Sequence, residues 1–463
     1  MLERLSDAPL SFWLVVTVLI ALVWEGLAKW NEVWAKPALV VYGTIGVWYP
    51  IDYLMSMAKD FRRFSDVTLD ISFLQVTMCL VLLRLLIPPV YVRMIQGLPP
   101  DSSRISLDQH WIAAILNAAI AFWGVLLVIA CVRLSDYPDP FLRMVSLFWP
   151  PAYPVKIPMF GHGGIGNSTS FMWAALGYIQ RLVYAMFGVI AVIGRGRIRY
   201  LAILMIALSW PYIFFDRMRN VMLSVLMPGM AAFWICTKLS VPVKIVSSLL
   251  VLFALDYWFK VVIVYRGDYG MSVFAGANDL REVKHHGLDM LKELCYINTF
   301  IADGSYTPNW GKRYFAEAVN FVPRAVWPGK PTIGLDYAIA RGFSNRSEMG
   351  VSVTVATGLI GQGVVNFGRV FGVVAVAILL SLWIGFLSRL WIQRRSAARL
   401  FLFLIGLGVT FNSGRDISFL ILFPFVFGYL FVRIWEWYQP ARTGMKPNLS
   451  SYYSPRKADH PPS

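Results

Sequence analysis

Arg217 and Arg219 in FFDRMRN, Arg266 in VYRGDYG, Arg324 and Lys330 in VPRAVWPGKP, and Arg415 in FNSGRDIS are cations set just outside apolar stretches. A guanidinium presents a planar fork of donors that grips phosphate oxygens two at a time, whereas a lysine ammonium acts as a point charge. A single arginine at the end of an apolar helix is also a common interface anchor, its stem in lipid and its head in water. Six such cations around connections of one polarity point instead to a shared site for an anionic, lipid-linked substrate. Arg341 and Arg346 add charge within the same polar segment, and Trp327 lies beside Pro323, Pro328 and Pro331 in a turn those prolines stiffen.

Gln362 and Asn366 are four residues apart in GLIGQGVVNFG, so a helix sets both amides on one face. At the mouth of a span they could bond the hydroxyls of a sugar. Helix packing is the other reading, because Gly358, Gly361, Gly363, Gly368 and Gly372 permit close backbone approach. Of the carboxylates, Asp336, Glu348 and Asp416 are nearest the basic cluster in sequence. One of them could take the proton of an attacking hydroxyl, and each could equally pair with a neighbouring arginine. Asp136 and Asp139 in SDYPDP form an acidic pair of the kind that can hold a metal, but their spacing and place fit poorly. His285 and His286 are adjacent and share no helix face, so they are not a metal-binding pair. GHGGIGNST, Gly161–Thr169, follows no strand and lacks the Lys-Ser/Thr of a phosphate loop, so it reads as an external loop. Cys79, Cys131, Cys236 and Cys295 are scattered over three spans and the polar segment, which excludes a disulfide framework and a zinc cluster. No metal and no cofactor is expected.

These residues sit in a chain that is mostly apolar. Of its 463 residues 57% are hydrophobic and 15% charged, against about 25% charge in a soluble domain, and the mean hydropathy is +0.59. Runs of about 20 apolar residues recur and do not alternate, so the chain is an all-α polytopic membrane protein rather than a barrel. The first run, Leu10–Leu27, has no small-residue cleavage site after it and reads as a retained span. The net charge of +16 does not indicate a nucleic-acid partner, because its excess lies in short connections and the tail. Arg195, Arg197 and Arg199 share one connection, Arg389, Arg394, Arg395 and Arg399 another. Such clustering follows the positive-inside rule. The segment 266–350 holds ten basic and nine acidic residues and is nearly neutral.

Hydropathy predicts about eleven spans, at 10–28, 36–57, 69–91, 111–132, 171–193, 199–215, 220–237, 242–264, 367–388, 399–412 and 416–437. The organisation is then an N-terminal bundle over 1–262, one large structured extracytoplasmic loop over 263–350, C-terminal spans over 351–438 and a disordered cytoplasmic tail over 439–463. With both arginine-rich connections inside, 216–219, 263–350 and 412–415 all face outward. The same alternation places Lys59, Arg62 and Arg63 outside, against the rule. Either 36–57 is not a full span, or a Pro- and aromatic-rich segment at 141–158 crosses instead of lying at the interface. Within the polar segment, apolar residues from Leu280 to Ile301 predict an amphipathic helix over 278–303. A short helix fits 312–321.

VPRAVWPGKP, Val322–Pro331, followed by GLIGQGVVNFGRVFG, Gly358–Gly372, resembles the Wzy-type polymerases of O-antigen and exopolysaccharide repeat units. Tyr265-Arg266 after a span and Arg415 in a late short loop also fit, and the match covers about residues 210–430. Gln362 departs from it, since an acidic residue is expected there, and the proton acceptor is thereby left open. The resemblance implies a GT-C-like fold in the bacterial cytoplasmic membrane with its active side periplasmic. It implies that a sugar hydroxyl of one undecaprenyl-pyrophosphate-linked repeat attacks the anomeric carbon of a lipid-linked glycan, releasing undecaprenyl pyrophosphate. Arg324, Arg266 and Arg415 would stabilise that leaving group. Lys330, Arg217, Arg219, Trp327, Arg341, Gln362 and Asn366 would bind substrate. Membrane lipid and a chain-length regulator are the further partners expected. A ligase would use the same donor. A flippase is the non-enzyme alternative, kept open by Arg84, Arg181 and Asp256 within spans.

Overall fold

A computed structural model describes residues 8–56, 58–98, 109–133, 170–215, 219–264, 289–319, 322, 326–331, 334–342, 355–393, 397–415 and 419–438. Every regular element among them is helical. Helix α1 is Leu10–Ala28 and α2 is Ala35–Gly46, which runs through a π-helical turn, Val47–Ile51, into α3, Asp52–Met55. A short α4, Ala58–Phe61, precedes α5, Asp66–Ile95, and α6, Gln109–Arg133. Then come α7 (Ser170–Ile193), α8 (Arg197–Phe215), α9 (Arg219–Cys236) and α10 (Val241–Val264). The polar segment supplies α11 (Met290–Ala302), α12 (Lys312–Ala318) and α13 (Leu335–Ala340). The chain ends with α14 (Leu359–Phe367), α15 (Phe371–Ile392), α16 (Ala397–Ser413) and α17 (Phe419–Tyr438).

Ten of the eleven stretches expected from hydropathy each overlap one of these helices, and 36–57 is divided among α2, the π-helical turn and α3. Five helices are long and apolar enough to cross a membrane: Leu10–Ala28, Asp66–Ile95, Gln109–Ile129, Ala175–Ile193 and Phe371–Ile392. Local chemistry explains several boundaries. Ser65 accepts from the Thr68 backbone N–H at 3.2 Å, which caps α5 beside Asp66. Pro50 lies in the π-helical turn, where the wider winding absorbs a residue that cannot donate. The stretch Gly358–Gly372 is not one helix. Gly368, at φ +82°, turns the chain between α14 and α15, so the latter begins at Phe371 rather than at 367. The two helices then pack back to back at Gly363 and Gly372, where a Cβ on either residue would collide with the backbone of the other.

Two apolar cores result. One joins α1, α2, α5, α11, α14 and the first turns of α15, around Phe12, Tyr42, Phe73, Leu80, Leu294 and Val364. The other joins α6 to α9 with α16, α17 and the last turns of α15, around Leu182, Phe187, Leu223 and Phe403. Helix α15 therefore ties them together.

The ends of the bundle are fixed by contacts between connections. At one end Arg63, between α4 and α5, donates to the Tyr296 hydroxyl of α11 at 2.6 Å. At the same end Asp52 accepts from the Leu291 N–H at 2.9 Å, and Trp48 donates to the Phe411 carbonyl at 3.1 Å. At the other end the Arg195 N–H meets Gln109, Lys36 lies over the Trp391 ring, and Trp111 meets Trp435. The region around Arg62 and Arg63 thus shares an end with α11 to α14, as simple alternation requires. Of the expected 278–303 helix, Met290–Ala302 is present and the part before residue 289 lies outside the described residues. The second short helix ends at Ala318, short of 321. Residues 141–158, the 161–169 loop, Asp136, Asp139, His285, His286 and the tail lie outside the described residues.

Candidate functional site

The polar segment is held to the bundle by a buried amide network. Asn298 of α11 donates to Ser72 at 3.0 Å and to the Gln75 side chain at 2.8 Å, both on α5. Gln75 donates to the Arg369 carbonyl at 3.2 Å, and Arg369 returns a bond to the Asn298 carbonyl at 2.7 Å. Buried amides of this kind are stable only when each is satisfied. The network therefore fixes α11 against α5 and the start of α15.

Above it stands a cluster of buried charge. Arg313 and Glu317 lie one turn apart on α12 and are 2% and 1% exposed. The Arg313 Nε is 3.9 Å from Glu317 Oε1, which also accepts from Gln362 Nε2 of α14 at 2.9 Å. Arg313 Nη2 donates to the Val355 carbonyl at 3.2 Å, and the Gly334 backbone packs against the guanidinium. One arginine thus joins α12, the residue before α13 and the residues before α14. Asn366 is also fully buried. It donates to the Gln362 carbonyl at 2.8 Å and accepts from the Tyr314 N–H at 3.3 Å. Both amides do share a face, and both are occupied by protein partners.

Two anionic centres flank the cluster. Asp336 is exposed, and its Oδ2 accepts from Tyr306 at 2.9 Å and Asn309 at 3.0 Å. Burial, with Asp336 beside it, pushes the Tyr306 phenol well above its ordinary value, so it stays a donor. Glu293 accepts from Tyr337 at 2.7 Å and from Arg341 through both oxygens, at 2.9 and 3.1 Å. Burial and Glu293 raise the Tyr337 phenol. Burial alone would lower Arg341, but the Glu293 pair outweighs it and holds the guanidinium above its usual value. Arg341 also stacks 3.6 Å from the centre of the Tyr296 ring.

Lys330 is largely buried, and its ammonium donates to the Val322 carbonyl at 2.9 Å, tying the turn at residues 326–331 to Val322. Trp327, on that turn, meets Phe315 edge-on at 6.3 Å. Arg415 enters through its backbone. The Gly358 N–H donates to the Arg415 carbonyl at 2.9 Å and the Leu359 N–H to the Gly414 carbonyl at 3.1 Å, which joins the end of α16 to the start of α14. At this joint Thr357 Oγ1 and Asn412 Oδ1 are buried with no hydrogen-bond partner among the described residues.

Of the expected site residues, Lys330, Trp327, Arg341, Gln362, Asn366 and Arg415 are brought to one end of the bundle. Arg217, Arg266 and Arg324 lie outside the described residues, as does the Arg219 side chain. Glu348 and Asp416 lie outside them too. In the spans, Arg84 pairs with Glu25 of α1, and Arg181 lies over the Tyr178 ring at 5.8 Å. Sequence reading missed Arg313, Glu317 and Glu293. The available signal was the i,i+4 spacing of Arg313 and Glu317 on the face of α12 opposite Phe315. Comparison of the chain with protein-family models, with curated proteins and with solved structures finds no match.

Proposed function

We propose that this protein is a polymerase of lipid-linked oligosaccharide repeats in the cytoplasmic membrane of a bacterium, with eleven crossings and a GT-C-like arrangement. Its working end is the one that carries α11 to α14. The observation that carries the reading is the joint of α14 and α16. There Arg415 is fixed through its backbone next to two buried atoms, Thr357 Oγ1 and Asn412 Oδ1, that have no hydrogen-bond partner among the described residues. A backbone-anchored arginine at a joint with unfilled hydrogen-bonding groups suits a ligand with both phosphate and hydroxyls.

In this mechanism a hydroxyl oxygen of the acceptor sugar forms a bond to the anomeric carbon of the donor glycan. The bond from that carbon to the pyrophosphate oxygen breaks, and undecaprenyl pyrophosphate leaves with the electron pair. Negative charge grows on the leaving group, so fixed cations stabilise the transition state more than the ground state. Arg415, Arg324 and Arg266 take that role. Lys330, bonded to the Val322 carbonyl, ties together the described residues on either side of Arg324 in the sequence. Asp336, exposed and oriented by Tyr306 and Asn309, takes the hydroxyl proton.

The test is deletion in the host, complemented with Arg324→Ala, Arg415→Ala and Asp336→Asn, with glycans read by gel and mass spectrometry. Single lipid-linked repeats should accumulate and long polymer vanish. Long polymer retained on undecaprenyl pyrophosphate would instead mean a ligase, and repeats trapped on the cytoplasmic side a flippase.

A further inference from the structure

Helix α12 buries Arg313 and Glu317 and leaves Phe315 53% exposed, with Lys312 also exposed at its first position. Just before it, Trp310 is 74% exposed and stands at φ +53°, the left-handed region that is strained for a bulky residue. In a segment surrounded by water both choices are unfavourable. The exposure of both rings is favourable against an apolar medium, which can offset the strain at Trp310.

The position of Trp310 indicates which medium. The Asn309 N–H bonds the Val365 carbonyl at 3.2 Å, Pro308 packs at Gly368, and Gly311 lies against the Phe367 ring. Trp310 is therefore held beside the first turn of α15, where Val370 and Phe371 are also exposed. Phe371, Ile378 and Leu382 repeat at helical spacing and form one exposed apolar stripe down α15, a helix able to cross a membrane. Trp310 stands next to the start of that stripe, and Phe315, one turn further along α12, is exposed as well. Trp327 joins them through its contact with Phe315.

We propose that Trp310, Phe315 and Trp327 form a membrane seat, inserting the rim of the polar segment into the headgroup region of the leaflet that α15 enters. Tryptophan has the apolar body and N–H tip that this depth favours. The seat fixes the height of α12, and hence of the Arg313–Glu317 cluster and the turn at Lys330, relative to the bilayer surface. This inference rests on the chain being membrane-embedded and on nothing in the glycan chemistry, so either can fail without the other.

The experiment places a nitrobenzoxadiazole label at Trp310→Cys, Phe315→Cys and, as a water-facing control, Ala302→Cys, in a background without native cysteines. The protein is reconstituted in phosphatidylethanolamine–phosphatidylglycerol vesicles. Labels at 310 and 315 should be quenched several-fold more by shallow doxyl-lipid than by aqueous iodide, with the reverse at 302. Phe315→Cys lies in regular helix and reports even if the strained position 310 does not tolerate exchange. Trp310→Gly, which accepts the left-handed backbone without strain, should keep a monodisperse elution profile while iodide access at 315 rises. Equal iodide quenching at all three sites would overturn the seat. Shielding that develops only when free oligosaccharide is added would overturn it in favour of a glycan platform. Shielding from both quenchers would overturn it in favour of a protein contact.

Discussion

Arg63 reaches the Tyr296 hydroxyl with Nη1 at 2.6 Å while Arg341 lies across the face of the same ring. One arginine comes from the connection before α5 and the other from the residue that ends α13, so two distant parts of the chain meet on one tyrosine. The contact puts Arg62, an exposed neighbour, on the side of the membrane that holds α11. A membrane-impermeant maleimide should therefore label Arg62→Cys and Ala302→Cys from the same side of intact cells, and Lys238→Cys between α9 and α10 only after permeabilisation. Labelling of position 62 together with 238 would break the alternation.

The Arg313–Glu317 pair should behave as one unit. Removing either charge strands the other in a buried site, which costs about 3–5 kcal/mol, whereas replacing both with neutral groups is often close to neutral. Arg313→Met and Glu317→Gln are each expected to lower the melting temperature in detergent sharply, and the double variant to recover most of the loss. Additive losses in that cycle would mean the two side chains are not coupled.

Arg341 is held by geometry as much as by charge. Arg341→Lys keeps the charge but cannot present a planar fork to both Glu293 oxygens. Loss of one charge-assisted bond should cost about 1.5–3 kcal/mol of stability, read as a lower melting temperature. An unchanged melting temperature would free Arg341 from this structural role.

Gly363→Ala and Gly372→Ala should each push α14 away from α15. Overpacking of this kind costs about 1–3 kcal/mol. Limited proteolysis between α13 and α14 should accelerate in both variants, while Gly43→Ala, which meets nothing within 4 Å, should be silent.

Alkaline stability should be governed by Tyr306 and Tyr337. Burial, aided by Asp336 and by Glu293, raises both phenols above the ordinary value of 10.0. The unfolded chain then loses these protons first, so their contribution is intact below about pH 10 and falls as the pH rises further. Tyr306→Phe should soften that fall in a melting-temperature profile between pH 9 and 11.

Most of the bundle was legible because hydropathy and helix length answer to the same bilayer thickness. Every expected apolar stretch overlaps helix and five of them are long and apolar enough to cross a membrane, although α15 begins after Gly368 because a positive φ there interrupts what reads as one Gly-rich run. Topology near Arg63 was ambiguous from charge alone, since local basic residues argue against the end that the Tyr296 contact shows it shares with α11. The Arg313–Glu317 cluster was not legible because charged residues on a short polar helix ordinarily face water. Only the fold shows that α14 and Gly334 cover them. Gln362 and Asn366 were read on the right face, but their partners lie on α12 and within α14, which spacing cannot reveal.

The Gln75 amide finds the Arg369 carbonyl 294 residues further along the chain. During synthesis that interval takes about 15–60 s at about 5–20 residues per second. For most of that time α5 is already made while neither α11 nor α15, which complete its polar contacts and its apolar core, has been. The early helices must therefore be retained next to the insertion machinery, or shielded by a chaperone, until the late ones arrive. A chain truncated before α15 should be a substrate for membrane proteolysis rather than a partly working protein.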